Sequence, residues 1–369
     1  MPATVLHLTT LHRGDDSRMV LKMARSTARR YPTTVLATPP FLSDPSLTFI
    51  QIPYYASLWK RLVFVHPRVL RHCLRLRPAI VHVHAPEALP IAWLLSFFGT
   101  EVIYDVYENM GKQLSGKTVN NQWLFRKVFG WFDRIARKQF RFIFAEDAYL
   151  ASYPDLRKPF EIIHNFPDIH QLPQPANERD LSFFYLGQLS KARCLDVMIL
   201  AAGMLRQQYP DFRWHIFGKP GFDLAGWEDI HQLPGFSEVK DNLLFHGQVS
   251  APEAYAVGKT CLAGIALLRP VGDFPDSYPT KIFEYMGLGL PIITSAFPLY
   301  QSVVETHACG FCLEPDDAEK LYETLRFFIE NPAIRQEMGE RGIAAVHAQY
   351  NWATEEQKLF RLYETLPGR

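Results

Sequence analysis

Two short stretches hold the residue types that a phosphorylated ligand needs. The first is Asp276-Ser-Tyr-Pro-Thr280-Lys281-Ile-Phe-Glu284. Pro279 stands where a helical pattern begins, a place suited to a residue with no N–H to give. The free N–H groups of the first turn, around Thr280, can hold a phosphate, and Lys281 adds a cation there. Glu284 follows about one helical turn later, where a carboxylate can accept hydrogen bonds from two sugar hydroxyls. Asp276 precedes Glu284 by eight positions, so a loop can carry it back to the same site. The same spacing also describes an exposed loop and an ordinary amphipathic helix. The second stretch is Tyr185-Leu-Gly187-Gln-Leu-Ser190-Lys191-Ala-Arg193. Gly187 turns the chain after a strand pattern, Ser190 can cap the next helix, and Lys191 and Arg193 fall in its first turn. Cations there oppose the helix dipole. A bound anion explains them, and so does a solvated turn.

Metal chemistry finds little support. No Asp-x-Asp occurs in the sequence, and Cys309 and Cys312 form a lone C-x-x-C that reads as a buried strand. His82 and His84 lie two apart on a strand pattern and so share a face. A zinc site needs more ligands than that, and the pair reads as sheet packing. No metal and no cofactor are expected.

The elements that must position these residues follow from composition and period. At ~150 residues per domain, 369 residues suggest two domains. With 48% apolar and 21% charged residues, the chain is a soluble globular protein and not a disordered or fibrous one. It opens on the strand-like Thr4-Val5-Leu6-His7-Leu8, so no signal peptide is expected. The longest nearly apolar stretch, 88–99, has 12 residues, too few for the ~20 that span a bilayer. Strand patterns at 5–9, 33–37, 80–84, 102–106 and 142–145 alternate with helical ones at 17–31, 59–77, 87–98 and 122–140. A proline-rich stretch, 165–175, reads as a linker. Strand patterns resume at 181–186, 212–217, 242–246, 262–267, 291–294 and 310–313. Helical ones fall at 193–208, 252–257, 281–287, 316–329, 332–349 and 352–366. This alternation predicts two doubly wound parallel α/β domains, with ligands beyond the carboxyl ends of the strands.

Charge is divided unevenly. Residues 1–150 hold 20 Lys/Arg and 10 Asp/Glu, a balance of +10; the remainder holds 19 and 28, a balance of −9. At 100° per residue, Arg126, Lys127, Arg134, Arg137, Lys138 and Arg141 fall on one side of 122–141. In 59–77, Lys60, Arg61, Arg68, Arg71 and Arg75 oppose Leu62, Val63, Val65, Val69, Leu70 and Leu74. These basic faces suit an anionic membrane surface, with the apolar faces packed on the sheet. Nucleic acid is the competing anion, but no nucleic-acid-binding motif is visible.

The second half resembles the nucleotide-sugar domain of retaining glycosyltransferases of the GT-B fold, family 4. The resemblance rests on Phe283-Glu284-Tyr285-Met286, Gly289-Leu290-Pro291 and Ser295, then Gly310 with Glu314-Pro315-Asp316, then Tyr350-Asn351-Trp352. The first half resembles bacterial polysaccharide members through Val81-His82-Val83-His84-Ala85-Pro86-Glu87 and Ile103-Tyr104-Asp105-Val106-Tyr107-Glu108. The fold this implies is GT-B: an acceptor domain over 1–170, a nucleotide-sugar domain over 171–350 facing it across a cleft, and a final helix, 351–369, crossing back to the first domain.

Carried over by position, Glu284 binds the ribose, Asp276 lies near the donor sugar hydroxyls, and Arg193 contacts the diphosphate with Lys191, Lys281, Thr280 and Gly187. Gly14 lies in a flexible loop after the first strand, His12, Glu87, Asp105 and Glu108 line the acceptor side, and Asp276, Arg193 and Tyr107 are the catalytic residues the resemblance implies. Four positions depart from the family pattern: Asp276 for Glu, Gln188 for Arg, Ala296 for Asp, and Tyr107 for the His that contacts the transferred sugar. The resemblance implies metal-independent transfer from a UDP- or GDP-sugar, UDP first, to a lipid-linked saccharide. The setting would be surface-polysaccharide or lipopolysaccharide assembly on the inner face of the cytoplasmic membrane. The departures also fit a partner subunit that keeps the nucleotide site without turnover. The basic first half also fits a membrane adaptor.

Overall fold

The computed structural model describes residues 3–107, 122–221, 223–224 and 226–366, with the side chains of 122–126 excepted. Glu108 and the side chain of Arg126 lie outside the described residues. The chain divides into two units, 1–165 with 353–369, and 166–352.

The first unit is built on a seven-stranded sheet of order β3-β2-β1-β4-β5-β6-β7. Its strands are β1 (Val5–Gly14), β2 (Thr33–Phe41), β3 (Leu47–Gln51), β4 (Ile80–Val83), β5 (Glu101–Val106), β6 (Arg141–Phe144) and β7 (Phe160–Ile162). All pairs are parallel. Central strands such as Ile80-Val81-His82-Val83 are buried throughout, as sheets covered on both faces require. The expected strands are present, and β3 and β7 are added at the edges. Helix α1 (His66–Leu76) carries Pro67 in its first turn, preceded by a π-type turn at Arg61–Val65, and ends at Arg77 with a left-handed φ of 46°. Helix α2 (Leu89–Ser96) packs beside it, and α3 (Gln122–Gln139) packs on α2. The expected helix over 17–31 is instead a π-type turn at Met19–Ala24 followed by one α-turn.

The second unit repeats the plan with six parallel strands, order β10-β9-β8-β11-β12-β13. They are β8 (Ser182–Leu186), β9 (Arg213–Phe217), β10 (Leu243–Gly247), β11 (Ala263–Ala266), β12 (Ile292–Ser295) and β13 (Gly310–Leu313). Its helices include α4 (Leu195–Gln208), α5 (Ala251–Gly258), α6 (Thr280–Gly287), α7 (Ala318–Glu330) and α8 (Pro332–Ala348). Most of the expected proline-rich linker belongs to this unit: Phe166 packs its ring 4.6 Å from that of Phe283. Cys309 is buried and Cys312 half-buried, both free thiols at or beside β13, so the C-x-x-C is strand packing.

In both sheets the first strand lies between its second and fourth partners in chain order. That makes the carboxyl ends of β1 and β4, and of β8 and β11, the topological switch points where open α/β sheets bind ligands. Helix α9 (Trp352–Glu364) closes the chain and packs on the first unit. There Glu356 pairs with Arg29 at 2.8 Å, and the Tyr363 hydroxyl meets His82 Nδ1 at 3.2 Å.

Several expected surface residues are internal. Arg61 is buried and gives both Nε (2.6 Å) and Nη2 (2.9 Å) to the carboxylate of Glu87, so neither is a free surface group. Arg137 is held by Asp133 at 2.7 Å and Asp155 at 3.1 Å, and Arg141 is buried against Glu101 at 2.6 Å. Lys60, Arg68, Arg71, Arg75, Lys127, Arg134 and Lys138 are exposed. The apolar faces do not all pack inward: Val63, Leu74, Val128 and Trp131 stay exposed beside these cations. So do Trp59, Phe64, Phe97 and Phe98.

Candidate functional site

In the second unit, three strands end in glycine at the same level. The Gly187 N–H donates to the Phe217 carbonyl (2.9 Å) and the Gly218 N–H to that of Gly247 (2.7 Å). A Cβ on Gly218 would stand 1.8 Å from the Gly187 carbonyl oxygen, so this stacking needs glycine there. Gly187 itself has φ 154°, and a Cβ on it would lie 3.3 Å from both Arg193 Nη1 and Lys281 Nζ. The strand end therefore brings two cations from different elements to one bare stretch of backbone.

Each cation is placed by its own element. After Gly187, Ser190 caps the short turn Lys191–Arg193 by accepting from the Arg193 N–H at 3.2 Å. Arg269 ties this turn down through the Lys191 carbonyl and through Asp196 at 2.9 Å. Lys191 points to solvent, and Arg193 is half-buried. Lys281 lies in the first turn of α6, whose N-cap is Pro279. The helix is fastened to β8 where the Leu186 N–H donates to the Tyr285 hydroxyl oxygen at 2.8 Å.

The resulting electrostatics are unbalanced. Lys281 is buried, and its Nζ has no hydrogen-bond partner among the described residues; nor has Arg193 Nε. The ammonium stands 4.5 Å from the centre of the Tyr185 ring. Burial, and then the Arg193 guanidinium, push the Lys281 pKa well below its ordinary value. An unpaired buried cation is costly, and two beside each other more so. A diphosphate would satisfy both. Glu284, one turn along α6, is half-buried. The Tyr255 hydroxyl from α5 bonds to it, and burial together with this carboxylate raises the Tyr255 pKa. Thr280 opens α6, and Asp276 is exposed on the turn Phe274–Asp276 before it.

In the first unit, the carboxyl ends of β1, β4 and β5 carry the remaining expected residues. Gly14 is no flexible loop: β1 runs through it, it pairs with Phe41 of β2, and a Cβ would strike the Phe41 ring at 2.1 Å. His12 is half-buried, its Nδ1 2.9 Å from the Thr9 hydroxyl. Asp105 is not a cleft-lining group but a buried counter-ion. It accepts from Arg18 at 2.8 and 3.1 Å and from His84 Nδ1 at 3.1 Å. Burial raises its pKa, yet Arg18 and His84 outweigh that and hold it well below the carboxylate range. The Thr10 hydroxyl also donates to Glu87. Tyr107 is half-buried, with the Arg18 guanidinium 5.5 Å from its ring centre.

His7 joins His82 and His84 to make a buried trio. Their nitrogens are largely spent on one another, with His7 Nδ1 to His84 Nε2 at 2.9 Å, and on Thr27, Tyr363 and Asp105. The pair expected as sheet packing thus has a third member, and His82 Nε2 has no hydrogen-bond partner among the described residues. Arg18, Tyr255, Arg269 and His7 were missed from sequence, because their partners lie far along the chain.

Residues 168–345 match the family model of the glycosyl transferases group 1. This segment is thus similar to a glycosyltransferase group 1 domain. It contains the Gly187, Arg193, Lys281 and Glu284 cluster. A phosphatidyl-myo-inositol mannosyltransferase of Mycolicibacterium smegmatis is 24% identical over 186 residues, 50% of this chain and 45% of that relative. The match thus spans less than half the length of the curated relative. Among solved structures, the sucrose-phosphate synthase of Thermosynechococcus elongatus superposes with a TM-score of 0.74 at 14% identity, covering 99% of this chain and 98% of that one. Anabaena HepE in complex with UDP gives 0.74 at 13%, covering 99% and 100%. WaaG, a glycosyltransferase involved in lipopolysaccharide biosynthesis, gives 0.70 at 14%, covering 99% and 100%. The fold of the chain is therefore of the GT-B type, with two Rossmann-like domains. Among the described residues, no helix is long and apolar enough to cross a membrane.

Proposed function

We propose that this chain is a retaining glycosyltransferase that moves a sugar from a nucleoside-diphosphate sugar, UDP-linked first, to a lipid-linked saccharide. The observation that carries the reading is the pair of cationic side chains beside Gly187, Lys281 and Arg193, whose Nζ and Nε have no hydrogen-bond partner among the described residues. A diphosphate is the ligand whose charge and size answer both. Glu284, held by Tyr255, takes the ribose hydroxyls, and Asp276 reaches the donor sugar. His12 and Tyr107 stand on the acceptor side.

In the reaction the bond from the anomeric carbon to the diphosphate oxygen breaks, and the acceptor oxygen forms its bond on the same face. The acceptor proton passes to the leaving diphosphate. Lys281, Arg193, Lys191 and the α6 backbone amides stabilise the departing charge, as preorganised donors do, and no step calls for a metal. The exposed cations and aromatic residues of α1, α2 and α3 suit contact with anionic lipid, which would bring the acceptor within reach. The lipid-modifying and lipopolysaccharide enzymes among the relatives support this acceptor class.

The test is a panel of UDP-, GDP-, ADP- and dTDP-sugars in thermal shift, followed by product analysis. One donor should stabilise the protein, and sugar transfer or slow donor hydrolysis should disappear with Glu284→Ala. Binding without turnover on any lipid-linked saccharide would favour the partner-subunit reading. No binding by any nucleotide sugar would refute the donor site.

A further inference from the structure

The amino-terminal ends of β11 and β12, the edge of the second sheet away from Gly187, border a cavity of about 790 Å³. Arg179 and Arg335 both line it, with Gly289, Ala333 and Glu340. Arg179 donates only to carbonyls: Lys259 (2.7 Å), Cys261 (3.1 Å) and Gly289 (3.0 Å). Arg335, in the first turn of α8, gives Nη1 to the Phe328 carbonyl at 2.6 Å. Among the described residues neither guanidinium forms an ion pair. The carboxylate in the cavity, Glu340, accepts from the Gln336 amide at 2.9 Å instead. Burial, and then the charge of Arg335, lower the Arg179 pKa.

Carbonyl capping at the ends of α5 and α6 accounts for Arg179. Capping at the end of α7 likewise uses Nη1 of Arg335, but it leaves the other N–H donors of that guanidinium at the cavity, on the first turn of α8, where the dipole disfavours a cation. A guanidinium carries five N–H donors, and Arg335 has one such bond to protein among the described residues. We propose that this cavity binds a phosphate-bearing small molecule, its phosphate clasped between Arg179 and Arg335. Bidentate arginine contacts suit phosphate oxygens. The walls of Pro175, Pro291 and Ile343 suit a compact apolar or sugar-like body. The volume lies within the roughly 300–1,000 Å³ of small-molecule sites. The site shares no residue with the Gly187 cluster and stands whether or not the sugar-transfer reading does.

Titration of the full chain with inorganic phosphate, against chloride at equal ionic strength, tests it by calorimetry and thermal shift. Phosphate should bind and stabilise both the wild type and Arg193→Gln, in which the other anion site is weakened. Affinity should fall at least about tenfold in Arg335→Gln. It should fall likewise in Ala333→Glu, which sets a carboxylate in the cavity at a helix position that favours one and so keeps the fold. Three results would overturn the proposal: no phosphate-specific binding, binding undiminished in both cavity variants, or binding that vanishes with Arg193→Gln.

Discussion

Lys281 is the residue whose environment asks most for something else. Its ammonium is buried without a hydrogen-bond partner among the described residues, and burial with Arg193 depresses its pKa. In the unfolded chain the same group titrates near ~10.4. Between the two pKa values the unfolded state binds more protons, so the lysine destabilises the empty fold there, and stability rises with pH across that window. Lys281→Met should therefore raise the melting temperature of the ligand-free protein, relieving about 1–3 kcal/mol, while abolishing UDP binding. A dianion reverses the balance and lifts the Lys281 pKa, so UDP binding should take up protons. Calorimetry in buffers of different ionisation enthalpy reads that uptake, and it should be absent in the Met variant.

Tyr255→Phe removes the hydroxyl that bonds to Glu284. A hydrogen bond to a charged group contributes about 1.5–3 kcal/mol, so the melting temperature of the ligand-free protein should fall by several degrees, and UDP affinity should fall with it because the carboxylate is held less firmly. Lys281, Arg193 and Glu284 were legible because each sits within a turn of a strand end or helix start that the sequence marks with glycine or proline. Tyr255 was not: an aromatic at a helical spacing reads as core, and its use of the hydroxyl depends on an element packed from elsewhere.

Among the elements, α1 shows what periodicity can and cannot settle. Its hundred-degree projection sorts cations from apolar residues, but a cation's partner comes from another element and is invisible in that projection. Arg61 falls on the basic side and is nonetheless buried against Glu87, whereas Arg68, Arg71 and Arg75 are exposed. The two kinds should behave oppositely. Charge reversal at Arg68, Arg71 and Arg75 together should leave melting nearly unchanged and remove flotation on vesicles containing anionic lipid. Arg61→Met should cost about 3–5 kcal/mol, the usual penalty for stranding a buried charge, and lower the melting temperature sharply. The two strands missing from the sequence reading, β3 and β7, are both at sheet edges. There one side lacks a neighbour, so the apolar pattern is diluted: Thr48 and Gln51 interrupt the first, and the second has three residues.

At the scale of the molecule, the doubled α/β rhythm was readable because parallel strands covered on both faces leave nearly continuous apolar runs. The proline-rich stretch marked the change of unit, although Phe166 onward packs with the second. The last helix carries the clearest consequence. Removal of residues 353–369 strips Glu356 from Arg29, Glu364 from Arg30 and Tyr363 from the buried His82. The truncated protein should show protease-sensitive sites in 1–165 while 166–352 stays resistant.

The same arrangement bears on the order of events at the ribosome. The first sheet is translated before the second unit, yet one of its covering pieces is translated after the whole of that unit. A nascent chain can thus complete its later half while its earlier half still waits, uncovered, for the last helix to emerge from the exit tunnel.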